Sequence, residues 1–200
     1  MTFPRIEATG GFFLLLAWLN YMDRQGIVPL CLMACLFHEL GHIAVLRLLK
    51  IPIRRIRVTA VGAELSLSRA LSHAEEGMAS LAGPGANLIL ALVLSRWERS
   101  LTFAGINLAL GCFNLLPVRQ LDGGRALCAT LSLMTSPGPA YRVCFWIDKV
   151  FIAFLLTVGL TLVAAGGNIT LILVALWLCA QLIFSKQGNR TCHGGTKRVK

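Results

Sequence analysis

The sequence predicts an all-α polytopic membrane protein of about six transmembrane helices, with a small β-hairpin between helices 2 and 3. Of the 200 residues, 56% are hydrophobic and only 14% are charged, whereas soluble chains carry about 25% charged residues. The apolar residues are also gathered into runs, and the charges fall between them. So few charged side chains could not cover the surface of a soluble domain of this length.

Six apolar runs are candidates for helices that cross the hydrocarbon core, which takes roughly 20 residues per crossing. They cover residues 10–22, 27–49, 78–95, 101–118, 150–166 and 169–184. Gly83, Pro84 and Gly85 interrupt the third run, so we expect a broken helix there. Membrane proteins tolerate broken helices where the backbone lines a cavity.

Residues 51–68 have a different pattern, in which apolar and polar residues alternate and β-branched side chains are frequent. This pattern predicts two short strands that turn near Gly62. We expect the hairpin at the cytoplasmic face of the membrane. Residues 1–184 are therefore predicted to form one intramembrane domain, and residues 185–200 a polar, basic tail that is disordered.

The net charge of +10 raises the question of nucleic-acid binding, but the sequence has no basic domain interleaved with aromatic residues. With the amino terminus inside the cell, all of the 19 Lys and Arg residues except Arg24, Arg96 and Arg99 lie on the cytoplasmic side. Cytoplasmic loops carry this excess of positive charge. We therefore expect the lipid bilayer as a partner, no nucleic acid, and both termini in the cytoplasm.

His38, Glu39 and His42 form an H-E-x-x-H motif in the second apolar run. Residues i and i+4 share one face of a helix, so both imidazoles can bind one Zn²⁺ while Glu39 addresses the attacking water. Ionisable side chains inside a membrane segment are costly and are by default functional. The motif therefore predicts a catalytic zinc site, with Glu39 as its general base.

A catalytic zinc ion usually has three protein ligands, so one more is required. Asp122 is the favoured candidate, because it follows the fourth apolar run and Pro117. Pro117 and the pair Gly123 and Gly124 are expected to break the helix there and to turn the carboxylate toward the histidines. The alternatives are Glu64, Glu75, Glu76, His73 and His193.

Three motifs together resemble the site-2 protease family of intramembrane zinc metalloproteases. They are H-E-L-G-H at residues 38–42, G-P-G-A-N at residues 83–87, and N-L-L-P-V-R-Q-L-D-G-G at residues 114–124, in the order of that family. The resemblance implies that His38, His42 and Asp122 bind zinc and that Glu39 is the general base. It also makes Asn87 a candidate for contacting the substrate or the developing oxyanion.

The resemblance further implies a small family member that lacks the PDZ and CBS domains found in many relatives, closest in layout to the sporulation-associated FB-type branch. The expected partner is a membrane protein substrate, such as a membrane-bound regulator or a sigma-factor precursor, in a prokaryotic plasma membrane. Two other functions stay open: a membrane metal transporter, and a catalytically silent member that acts as a binding partner.

Overall fold

The computed structural model describes residues 5–59 and 62–191, and this part of the chain is mostly helical. The helices are α1 (Gly10–Met22), α2 (Ile27–Leu48), α3 (His73–Leu94), α4 (Leu101–Asn114), α5 (Asp122–Met134), α6 (Pro137–Ala164) and α7 (Thr170–Thr191), with a 3₁₀ turn at Glu98–Ser100. The strands are β1 (Arg5–Ala8), β2 (Ile53–Thr59) and β3 (Gly62–Leu67). The described residues therefore confirm a helical protein with one small sheet.

The sheet has the order β1-β2-β3, so β2 is central and β3 is an edge strand. Strands β2 and β3 pair in antiparallel fashion as the predicted hairpin, with Thr59 opposite Gly62 across residues 60 and 61, which lie outside the described residues. Strand β1, which the sequence analysis did not predict, pairs with β2 in parallel, with Arg5 opposite Arg55. Four residues are too short to show an alternating pattern, so β1 depends on its partner.

Helix α3 begins with a capping box, in which the Glu75 amide donates to Ser72 Oγ and the Ser72 amide donates to the Glu75 carboxylate. The side chain of Arg69 also donates to Glu75 at 2.6 and 2.8 Å, and this raises the pKa of Arg69. The expected break at Gly83, Pro84 and Gly85 was wrong, because α3 continues through Pro84 to Leu94. Packing of α3 against α2, α4 and α5 supports the helix where proline removes a hydrogen bond.

The later helix boundaries also differ from the apolar runs. The glycine pair does not break a helix: the break lies in residues 115–121, and Gly123 and Gly124 belong to the first turn of α5. Helix α6 starts at Pro137, well before the apolar run at residue 150, and α7 extends to Thr191, past the predicted start of a disordered tail. Residues 192–200 lie outside the described part of the chain.

Three of the described helices are long and apolar enough to cross a membrane, namely α2, α3 and α6. Residues Gly10–Met22 and Thr170–Leu182 form shorter apolar helices. Within the bundle, one apolar core joins Val118 and Leu121, which precede α5, to Ile152 and Leu155 of α6 and to Leu178 of α7. The segment that leads into α5 is thus anchored on the last two helices.

Candidate metal centre

Three helices meet around the H-E-x-x-H motif. Helix α2 carries His38 and His42 one turn apart, and α3 crosses α2 beside them. Asp122 is the first residue of α5, so the carboxylate stands at a helix start that packs against α3. His38 and Asp122 are buried, and the side chain of His42 is only 12% exposed.

The predicted ligands His38, His42 and Asp122 come together in space. Their facing atoms form a triangle: His38 Nε2 lies 3.2 Å from His42 Nε2, and Asp122 Oδ2 lies 3.0 Å from the first and 3.3 Å from the second. Among the described residues, this is the only cluster of three or more His, Cys, Asp or Glu ligand atoms close enough to share an ion.

The second nitrogen of each imidazole fixes its tautomer. His38 Nδ1 lies 2.8 Å from Asn87 Oδ1, and His42 Nδ1 lies 2.7 Å from the carbonyl oxygen of Ala79. Both partners can only accept, so both Nδ1 atoms carry the proton and both Nε2 atoms present lone pairs. Two such lone pairs and a carboxylate oxygen facing one another repel unless a cation lies among them.

The donor set fits zinc. Two imidazoles and one carboxylate are a common ligand set for catalytic Zn²⁺, with bonds of about 2.0–2.1 Å. Ligand atoms at that distance in a tetrahedron are about 3.3 Å apart, which agrees with the spacings of 3.0, 3.2 and 3.3 Å. His38, His42 and Asp122 would therefore hold the ion from one side.

The structure places Asn87 as a hydrogen-bond partner of His38, and the contact with the substrate or the developing oxyanion stays a prediction. It is fully buried, its Oδ1 accepts from His38, and its Nδ2 donates to the carbonyl oxygen of Ala34 at 3.1 Å and to Asn107 Oδ1 at 2.8 Å. Every polar group of the side chain is thus engaged within the protein. Asn87 orients the imidazole of His38, and Asn107 of α4 in turn orients Asn87.

Glycines allow the close approach of α3 to the histidines. A Cβ atom on Gly83 would overlap Nε2 of His42 and would lie 2.8 Å from Nε2 of His38. Likewise, a Cβ atom on Gly41 would lie 2.6 Å from the carbonyl oxygen of Ala82. Gly83, the first residue of the G-P-G sequence, is therefore explained by its proximity to the imidazoles and not by a helix break.

A cavity of about 430 Å³ opens beside the three ligands. Glu39 is half-buried and lines it, as do Glu64 and Leu65 of β3. Ser80 and Gln120 also line it, and the buried oxygens Ser80 Oγ and Gln120 Oε1 have no hydrogen-bond partner in the described part of the chain. No sequence pattern marked Ser80, Gln120 or Asn107 as functional.

The other candidates for a third ligand are engaged elsewhere or lie away from the triangle. Glu64 faces Arg57 at 4.0 Å, and Glu75 is paired with Arg69. Glu76 and His73 line a separate cavity of about 270 Å³, next to Arg125. His193 lies outside the described residues.

Three comparisons bear on this geometry. Residues 95–158 match the sequence model of Peptidase family M50. The chain is 29% identical to a zinc metalloprotease of Methanocaldococcus jannaschii over 160 residues, or 74% of this chain and 46% of that protein. It is 30% identical to Rip3 of Mycobacterium tuberculosis, which is named as a zinc metalloprotease, over 186 residues, or 79% of this chain and 44% of that protein.

The chain thus spans about half the length of the curated relatives that it matches. Among solved structures, it is similar to a site-2 protease from Methanocaldococcus jannaschii, with a TM-score of 0.65 and 25% sequence identity. That match covers 98% of this chain and 93% of the other.

Proposed function

Because residues 95–158 match Peptidase family M50 and the chain is similar in structure to a site-2 protease, we propose that it is an intramembrane zinc endopeptidase that cleaves transmembrane or membrane-associated segments of protein substrates. The observation that carries the proposal is the triangle of His38, His42 and Asp122, held beside Glu39 at a cavity next to helices apolar enough to cross a membrane.

Each group of the proposed site has its own role in hydrolysis. Nε2 of His38, Nε2 of His42 and Oδ2 of Asp122 bind zinc, which when present supplies Lewis-acid chemistry for water and for the peptide carbonyl. Glu39 takes a proton from the attacking water and returns it to the leaving nitrogen. Asn87 and the carbonyl of Ala79 keep both imidazoles in the tautomer that binds metal.

The substrate must unwind before it can react, because the carbonyl of a helical peptide bond is tied to an amide four residues on. Strand β3 is at the edge of the sheet, and its residues Glu64, Leu65 and Leu67 line the cavity. We propose that the unwound segment adds to β3 as a further strand, so that its backbone groups find partners in place of water.

We further propose six crossings, made by α1, α2, α3, α4, α6 and α7, in a prokaryotic plasma membrane with both termini in the cytoplasm. Helix α5 is as short as α1, but it lies outside the six apolar runs and begins with the polar residues Asp122 and Arg125, so we assign no crossing to it. It would stay on the cytoplasmic side with the basic residues that flank it. The substrate would be a membrane-bound regulator, of which a sigma-factor precursor is one type.

Replacing the base while keeping the metal tests the enzymatic proposal. The Glu39→Gln variant is expected to retain zinc and to cleave a purified transmembrane substrate about 10²–10⁴-fold more slowly, because the proton acceptor is lost. Glu98→Gln, at an exposed glutamate outside the site, is the control and should leave both properties unchanged. Zinc content is measured by mass spectrometry and cleavage by gel in reconstituted vesicles.

Two results would contradict the proposal. Cleavage by Glu39→Gln within tenfold of wild type would remove Glu39 from the mechanism. A wild-type protein that holds zinc, cleaves no membrane segment and moves zinc across the vesicle membrane would be a transporter instead.

A further inference from the structure

An ion pair between a buried carboxylate and a partly exposed arginine lies outside the proposed catalytic machinery. Asp148 is fully buried in α6, and a carboxylate in such a helix is costly unless it is paired. Its Oδ2 accepts from Nε of Arg119 at 2.6 Å, and its Oδ1 accepts from the backbone amide of Arg119 at 2.9 Å. One side chain of α6 thus binds both the side chain and the main chain of Arg119.

Arg119 belongs to the connection of residues 115–121, three positions before Asp122. Its guanidinium carbon also lies 5.5 Å from the ring centroid of Phe145 of α6, within the range of a cation–π contact. The neighbouring residues Val118 and Leu121 are buried in the core shared with α6 and α7. The connection is therefore attached to α6 by charge as well as by apolar packing.

The connection in turn lies directly against the start of α5. A Cβ atom on Gly123 would overlap the carbonyl of Leu115, and one on Gly124 would overlap the carbonyl of Val118. The amide of Leu121 donates to the carbonyl of Val118 at 2.8 Å. A displacement of residues 115–121 must therefore move the first turn of α5, and Asp122 with it.

We propose that Asp148 is a positioning residue for the metal site: through Arg119 it fixes the connection that holds the Asp122 carboxylate against His38 and His42. The inference rests on the proposed role of Asp122 as a zinc ligand. It makes α6, which contributes no ligand, a determinant of metal affinity. We name the ion pair of Arg119 and Asp148 the brace.

The brace is tested by the zinc affinity of folded protein, measured by competition with a chelator. Asp148→Asn and Arg119→Gln should each weaken zinc binding about tenfold, as expected for groups that support a ligand. They should also change the visible absorption spectrum of the Co²⁺-substituted protein, which reports ligand geometry. Arg119→Lys, which keeps the charge, should restore most of the affinity. The side chain of Arg119 is partly exposed, so variants at this position should fold. They test the proposal if Asp148→Asn does not fold.

A matched control separates positioning from stability. Gly159→Ala places a Cβ atom 2.8 Å from Ile172 Cγ1 at the contact of α6 with α7, so it should lower the melting temperature and leave zinc affinity unchanged. Arg119 and Asp148 are proposed to act as one unit. The double variant Arg119→Gln/Asp148→Asn should therefore lose no more zinc affinity than whichever single variant binds zinc more weakly.

Asp122→Ala distinguishes the possible failures. If Asp122→Ala binds zinc as tightly as wild type, the proposed metal centre itself is wrong. If Asp122→Ala loses zinc while Asp148→Asn and Arg119→Gln keep wild-type affinity and cobalt spectrum, only the brace is wrong. Additive losses in the double variant, or an equal loss in Gly159→Ala, would likewise overturn the inference.

Discussion

At the scale of single residues, Gly83 marks the place where α3 passes the two histidines. The change Gly83→Ala puts a methyl group where Nε2 of His42 lies, so the imidazole must turn away from Asp122. We expect zinc affinity to fall at least tenfold while α3 keeps its helical structure, since alanine favours a helix more than glycine does. Zinc titration and circular dichroism measure the two properties.

Gly85→Ala is the matched control, because nothing lies within 4 Å of a Cβ atom at that position. It makes the same chemical change two residues along the same helix and should leave zinc affinity unchanged. Equal effects of the two variants would show that general helix packing, and not the close approach to His42, explains the glycine.

The histidines of the proposed metal site could be predicted from residue type and spacing, whereas spacing left several candidates for the third ligand and the family resemblance pointed to Asp122. His38 and His42 are four apart, and the Asp122 carboxylate follows a helix break. The partners of those ligands could not be predicted in the same way. The motif made Asn87 a candidate for contacting the substrate or the developing oxyanion, but a motif cannot show that the hydrogen-bonding groups of Asn87 are used by His38, Ala34 and Asn107.

At the scale of elements, the edge position of β3 leads to a test of how the substrate is held. The test uses the Glu39→Gln variant, with its own cysteines replaced and a new cysteine in place of Glu64. It is mixed with a series of substrates that each carry one cysteine, and disulfide formation is measured at each substrate position. If the substrate adds to β3, its reactive positions should recur every second residue, because side chains alternate along a strand.

Arg5 provides the control position, since it lies on β1 at the opposite edge of the sheet. A cysteine there should form no cross-link with the substrate. Reactive positions that recur every three to four residues beside Glu64 would mean that the substrate stays helical, and strand addition would then be wrong.

Elements with a periodic pattern were predicted well, as the hairpin of β2 and β3 illustrates. Elements that depend on a neighbour were not. Strand β1 exists through its pairing with β2, and α3 continues through Pro84 because it is packed on three sides. Helix α6 starts before the apolar run that predicted it. Arg142 and Asp148, which pairs with Arg119, interrupt the hydropathy signal but do not end the helix.

At the scale of the whole molecule, the proposed orientation in the membrane rests on the positions of the basic residues. With Cys192 as the only cysteine retained, an impermeant thiol reagent added outside intact cells should not label the protein, whereas it should after the membrane is permeabilised. The reason is the excess of Lys and Arg on the side assigned to the cytoplasm. Strong labelling in intact cells would mean an odd number of crossings or the reverse orientation.

The spread of the ligands along the chain has a consequence for how the protein matures. His38 and His42 lie in α2, Asp122 lies 80 positions later, and the brace residue Asp148 later still. Synthesis proceeds from the amino terminus, and membrane helices insert before they pack together. A nascent chain that ends after α4 therefore has the two imidazoles but not the Asp122 carboxylate of the proposed ligand set. The proposed metal site therefore lacks its third ligand until α5 has been synthesised, and if the brace acts as proposed it reaches its full zinc affinity only after α6 has docked.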